Sequence, residues 1–269
     1  MNSLYRKLAP INEAAWNAIE EEARRTLKRH MAARRVVDVE GPKGFDFSAE
    51  GTGHIHPIDA PAEGIQAAQR ITKPLVELRV PFELSRQAID DADRGADDSD
   101  WDPLKEAARK IAFAEDNAVF SGYGAAGIEG ISQVSSNPTL TLSSSVKGYP
   151  DIIAQAISQL RLAGVNGPYC IVLGTEAFTR ANGGSDEGYP VLQHIKQLTQ
   201  GDIIWAPAIQ GGYVLSTRGG DFSLSIGQDI SIGYTSHTDT AVKLYLQESF
   251  TFRVLTSEAS VPLVMPAKA

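Results

Sequence analysis

The stretch from Trp101 to Gly122, WDPLKEAARKIAFAEDNAVFSG, limits the fold more than any other part of the chain. Asp102 is a suitable N-cap, and Pro103 suits the first helical position, where an N–H is not needed. Leu104, Ala107, Ile111, Ala114 and Ala118 recur at helical spacing, Phe113 and Phe120 open a second apolar face, and Ser121-Gly122 closes the run. That predicts a helix of about five turns, about 28 Å long. A helix this long with apolar residues on more than one side is packed on more than one side. The other elements are therefore expected to lie against a buried spine.

Upstream, Leu4, Tyr5, Leu8 and Ile11 mark an arm that ends near Pro10. Asn12 can cap a helix running to about Ala33, with Ile11 and Trp16 as a hydrophobic staple across the cap. Trp16, Ile19, Ala23, Leu27 and Met31 form its apolar stripe. Arg34–Val39 reads as a strand, and Gly41-Pro42-Lys43-Gly44 as a turn. Residues 45–73 are rich in Gly and Pro at their centre and flanked by strand-like pieces at 45–49 and 64–72, which suggests a long two-stranded excursion. An isolated hairpin is barely stable in water, so this one is expected to lean on another surface.

Val76, Leu78, Val80, Phe82 and Leu84 alternate strictly with polar residues and Pro81, the pattern of a strand with one buried face. Pro81 places it at a sheet edge or a bulge. After the spine, helices are expected at 149–162, 175–181 and 190–198, with strands at 169–173, 202–205 and 212–216 and a flexible polar loop at 182–189. Strands follow at 222–226 and 230–234. Val242, Leu244, Leu246, Phe250, Phe252 and Val254 then share one parity with Glu248, which requires a bulge or a buried, paired carboxylate. The tail SVPLVMPAKA is expected at the surface. Strands at both ends of the chain with helices between them imply one sheet built around the spine, and a second α/β unit inserted at about 131–224.

The net charge of −8 argues against broad nucleic-acid binding. No apolar run reaches the ~18 residues of a membrane span, and the N-terminus lacks the apolar segment of a secretory signal, so the cytoplasm is the expected location. The single cysteine, Cys170, excludes an intrachain disulfide.

Motifs that carry chemistry are scarce. Gly122–Gly127 reads GxGxxG but follows a helix, the wrong context for a dinucleotide fold. His54 and His56 share one side of an extended segment without a third ligand. Residues 90–102 hold seven aspartates, yet Ala92 and Trp101 stand where a calcium loop needs oxygen ligands. Arg218-Gly-Gly-Asp221 reads as a tight turn. No catalytic constellation assembles.

Several segments resemble the encapsulin shell proteins, a family once labelled linocin-type bacteriocins. They are LYRKLAP at 4–10, RRVVDVEGPKG at 34–44, KPLVELRVPFELS at 73–85, AIDDADRG at 88–95, AEDNAVFSG at 114–122, GPYCIVL at 167–173, GDIIWAPAI at 201–209, RGGDFSLSIGQDISIGY at 218–234 and LYLQESFTF at 244–252. The resemblance runs end to end and in order. It implies an α+β, HK97-like phage capsid fold, with an N-terminal arm, helix and first strand at 1–44 and an E-loop at 45–73. The peripheral domain would comprise 74–130 and 225–269, and the axial domain 131–224.

The resemblance also implies a homo-oligomeric icosahedral shell of sixty subunits, closed by heterologous contacts. Such a shell encloses a cargo enzyme, a dye-decolorising peroxidase or a ferritin-like iron oxidase, held by its C-terminal targeting peptide. The matching dock residues are Leu27, Met31, Arg34, Asp38, Asp229, Ile230 and Ser231. The fivefold pore loop would be Gly183, Gly184, Ser185, Asp186, Glu187, Gly188 and Tyr189, with Asp186 and Glu187 favouring cations such as Fe²⁺. Some members stack a flavin near the helix after the alternating strand; Gln87 stands there, so no cofactor is expected. Two other readings are a phage-type major capsid protein and a peptidase or bacteriocin. No scaffolding or protease-cleaved segment supports the first, and no nucleophile arrangement or secretion signal supports the second.

Overall fold

In the computed structural model, which describes residues 4–186 and 188–267, the first helix α1 spans Glu13–His30. Asn12 caps it by accepting from the Ala15 N–H at 2.9 Å. Ala15, Trp16, Ile19 and Ala23 bury one face, and Ile11 packs on the same core. The helix stops at His30, short of the expected Ala33. The Ala32 and Ala33 N–H groups are instead taken by the buried Asp116 carboxylate, at 2.9 to 3.1 Å. A 3₁₀ turn over Ala33–Arg35 follows, so the strand expected at 34–39 shrinks to β1, Asp38–Glu40.

Strands β2 (Ala49–Ile58) and β3 (Ala67–Pro74) form the excursion. Among the described residues they pair with each other alone, with a register shift between Gly51 and Ile55. β2 runs through the Gly- and Pro-rich segment that lacks any core pattern. Neither face of the hairpin is buried, with Ile55 at 63% and Ile65 at 51% exposure, so no alternation is required; main-chain pairing holds it, joined by Thr52 Oγ1 donating to Ile71 O at 2.8 Å and, at its base, Arg253 donating to Gly51 O at 3.2 Å.

β4 (Val76–Ser85) is an edge strand paired on one side, with Pro81 opposite Tyr245. Ser85 caps the short helix α2, Arg86–Asp93. The spine is α3, Asp102–Phe120. Asp102 is its first residue rather than its cap, and its N–H is taken by Asp100 Oδ1 at 3.0 Å. Leu104, Ala107, Ala108, Ile111, Ala112, Ala118, Val119 and Phe120 are buried. Ala114, expected in the stripe, is exposed, because the helix turns its Ala108–Ala112 side and the Glu115-Asp116 pair inward. Gly122, with φ +93°, ends the spine, and a Cβ there would sit 2.1 Å from Gln133 Oε1.

The remaining elements are α4 (Ile131–Val134), β5 (Leu140–Thr141), α5 (Tyr149–Leu162), β6 (Tyr169–Leu173), α6 (Thr175–Gly183), β7 (Ser185–Asp186), β8 (Tyr189–Pro190) and α7 (Val191–Thr199). They continue as β9 (Ile203–Trp205), β10 (Gly212–Ser216), β11 (Phe222–Ile226), β12 (Ser231–His237), β13 (Ala241–Val254) and β14 (Ser260–Val264). Two sheets dominate. In the first, β13 pairs with β4 along one edge and with β12 and then β11 along the other, and β1 adds in parallel to β11. In the second the order is β5-β14-β10-β6-β9.

The tail expected at the surface is thus β14, an inner strand of the second sheet with Val261 and Leu263 buried. A strand covered on both faces needs no alternation, which is why the sequence pattern did not mark it. The unit inferred at 131–224 is accordingly completed by the chain's end. At its other limit, β11 belongs to the first sheet.

The spine joins two cores. Leu104, Ala107, Ala108 and Ile111 pack with α1, α2, β4 and β13, while Ala118, Val119 and Phe120 pack with the second sheet, α5 and the inner face of β11. Ile111→Ala is expected to lower unfolding free energy by about 2–5 kcal/mol, as for other buried large-to-small changes. Ala114→Leu on the exposed face should change it by less than about 0.5 kcal/mol. Denaturant titration of both variants checks the pair.

Candidate functional site

A groove of about 430 Å³ runs between α1 and the start of β12. The apolar stripe of α1 continues past its buried residues, so Ala23, Leu27 and Met31 form one wall. Ile230, Ser231, Ile232 and Leu246 form the other. Leu4 and Arg6 of the arm close one end, where Arg6 pairs with Glu20 and stacks over the Trp16 ring. Six of the seven residues expected at the dock, Leu27, Met31, Arg34, Asp229, Ile230 and Ser231, line this one groove. Asp38 does not. It sits on β1 and accepts from the Gly220 N–H at 2.6 Å, stitching the Arg218–Asp221 turn to the first sheet.

Arg34 forms the groove's polar floor and is not a free hydrogen-bonding group. Its Nε and Nη2 grip Glu115 of the spine at 2.6 to 3.0 Å. Nη2 also reaches Glu248 of β13 at 3.3 Å, and Nη1 binds Asp229 on the groove rim at 2.7 Å. Glu115 and Glu248 are both fully buried. Glu248, on the apolar parity of β13, is therefore the buried paired carboxylate; the β13–β4 register runs unbroken past it.

Two carboxylates facing one guanidinium cannot both ionise cheaply in such a site. Burial, reinforced by the neighbouring Glu115 charge, pushes Glu248 well above the usual carboxylate range. Burial likewise raises Asp116 to about 7, against the two backbone N–H groups that favour its charge. Sequence reasoning singled out Arg34 and Glu248 separately. It missed Glu115 and Asp116, whose signal was a pair of acids within an otherwise apolar turn of the spine.

The segment expected to line a pore is a small hairpin rather than an open loop. Gly183 ends α6, and Ser185 and Asp186 pair with Pro190 and Tyr189. Gly184 accepts from the Val191 N–H at 3.1 Å, and Gly188 turns the chain with φ +86°. Tyr189 Oη accepts from Gln197 at 3.0 Å. Asp186 pairs with Lys147 at 3.2 Å, a partner the sequence did not suggest. Glu187 lies outside the described residues.

The other candidates resolve as structure. His54 and His56 are exposed on β2, and among the described residues no group of three metal-ligating side chains assembles. Within the acidic run, Asp91 pairs with Arg94, Asp93 with Asn12 and Asp102 with Lys105. Arg218 and the buried Asp221 form a two-pronged ion pair. Cys170 is buried, which raises its thiol to about 12 and leaves it a packing residue. Among the described residues no helix is long and apolar enough to cross a membrane.

A long hairpin, a spine helix and two sheets in this connection define an HK97-like capsid fold. The fold is shared with a virus-like particle from Pyrococcus furiosus, at TM-score 0.62 and 14% identity over 91% of this chain and 98% of that one. It is shared also with a structure of Gordonia phage Cozz, at TM-score 0.58 and 13% identity over 89% and 87% of the two chains. Within that class, residues 1–251 match the family described as "Encapsulating protein for peroxidase". Proteins named type 1 encapsulin shell protein are 57% identical in Mycolicibacterium paratuberculosis and 58% identical in Rhodococcus erythropolis. Both alignments cover 98% of this chain, and 99% and 100% of those proteins. The chain belongs to the encapsulin shell protein family.

The buried acids make opposite predictions for two conservative changes. A carboxyl whose folded pKa is raised binds more protons folded than unfolded, so its contribution to stability falls as pH rises above the ordinary carboxylate range. Glu248→Gln keeps the neutral form and should match or exceed the parent's stability at pH 8, with a shallower loss between pH 5 and 8. Glu115→Gln strips Arg34 of its main partner and should cost about 3 kcal/mol at any of these pH values. Denaturant midpoints across that range check both.

Proposed function

We propose that copies of this chain close into an icosahedral shell of sixty and retain a cargo protein by a C-terminal peptide seated in the groove between α1 and β12. The groove carries this reading. It offers apolar walls for Leu- or Ile-type side chains and, on its rim, the half-exposed Asp229, held in place by Arg34, to accept from a peptide backbone. The exposed hairpin supports assembly: Ile55, Ile58, Ile65 and Ile71 are left uncovered by its own chain, and a neighbouring subunit is the natural cover. The family's description points to a peroxidase as cargo; a ferritin-like iron oxidase is the other class the reading includes. The chain itself is a structural rather than a catalytic protein in this reading, working in the cytoplasm.

The hairpin at 183–190 would meet its symmetry copies around a fivefold opening. Five copies of Asp186 and Glu187 would then favour small cations, with Lys147 tempering the charge of each Asp186.

Light scattering with electron micrographs tests the assembly: uniform spheres of about sixty subunits' mass are expected from closed symmetry, and a monomer or dimer under mild conditions would refute it. Leu27→Asp should leave particle size unchanged and abolish co-purification of cargo, read by mass spectrometry of the intact purified particles. Retention of cargo at parental levels would place the dock elsewhere.

A further inference from the structure

The groove's second wall is the open edge of a sheet. Among the described residues β12 pairs only with β13, with Ser231 opposite Gln247, Ile232 opposite Leu246 and Tyr234 opposite Leu244. Main-chain groups of successive strand residues point to alternate sides. The Tyr234 N–H points away from β13, because it donates to Leu4 O of the arm at 2.9 Å. Two residues earlier, with the register unbroken, the Ile232 N–H and C=O must point the same way, away from β13, and Ile232 itself lines the groove. Neither makes a main-chain bond outside the sheet among the described residues, although Ile232 is 94% covered. A nearly buried main-chain donor and acceptor without partners is costly, and such edges are templates for an added strand. The arm already occupies the next position along this edge, so the geometry of such an addition is realised at Tyr234.

We infer that the groove's occupant binds as an extra β-strand on the free edge of β12, exchanging main-chain hydrogen bonds with Ile232 in continuation of the contact made by Leu4. The occupant is an extended segment of the enclosed partner protein, and the inference rests on the docking role proposed above. Affinity then comes from the main chain, while alternate side chains of the segment enter the apolar space beside Leu27 and Met31. A segment held this way is read by the spacing of its apolar residues at every second position rather than by one sequence. Its amides fall into two classes, those facing β12 and those facing away.

The probe is a fluorescein-capped eight-residue peptide of alternating leucine and serine, with two derivatives: one N-methylated at every leucine, the other at every serine. Binding to the purified full chain is read by fluorescence anisotropy. The unmodified peptide should bind, and Leu27→Asp, matched to the parent in particle size, should weaken it at least tenfold. One methylated derivative should lose at least tenfold in affinity and the other less than threefold, because only one class of amide meets the edge. If both derivatives bind like the parent peptide, or both fail equally, strand addition is overturned while the groove remains a dock. If the unmodified peptide does not bind, or binds Leu27→Asp equally well, the docking role itself fails and the strand addition with it.

Discussion

Arg34 is the charge on which the arrangement of this chain depends. It stands just after the first helix and reaches the spine through Glu115, the long strand β13 through Glu248, and the turn before β12 through Asp229. Next to it, Asp116 of the same spine captures the N–H groups of Ala32 and Ala33. Two adjacent acids on one helix therefore fix where α1 stops and where the chain leaves for the first sheet. Buried charges are poor sources of net stability but severe when left unpaired. Their effect here is to permit one register between helix, spine and strand.

That register places the groove. With α1 fixed against the spine and Asp229 tied to Arg34, the outer apolar residues of α1 face the start of β12 across a groove. The same strand leaves its edge open, apart from the contact with the arm. The hairpin β2–β3 likewise leaves apolar residues uncovered. A single chain thus presents unfinished surfaces in two different places. Surfaces of different kinds on one subunit suit heterologous contacts, which close into a shell only if every copy repeats the same geometry.

The spine, the Asn12 cap, the edge strand with Pro81, the all-apolar β6 and the end of the spine at Gly122 were legible because each rests on local chemistry: a cap, a period or a positive φ. Glu248 was legible as a problem, an acid on an apolar parity, though its partners were not. Ala114 was misplaced, since periodicity alone does not tell which face of a helix apolar on several sides meets solvent. The strands of the hairpin were under-read for the opposite reason: exposed on both faces, they carry no hydrophobic period. The seven dock residues were expected from family resemblance residue by residue, and six of those positions line one groove. Asp38 departs because β1 pairs with β11 and turns it toward Gly220.

By itself the sequence determined the long helices, the alternating edge strand, the buried spine, and the family to which the chain belongs, because these follow from patterns within a few turns or strands and from residues in a fixed order. Only the tertiary structure decided that the last strand, β14, lies inside the second sheet, between β5 and β10. The same holds for Glu115 and Glu248, which share one guanidinium, and for the groove beside an open strand edge. Those facts join residues as far apart as Arg34 and Glu248. Contacts between distant segments are set by how helices and sheets pack, and no local period records which segments will meet.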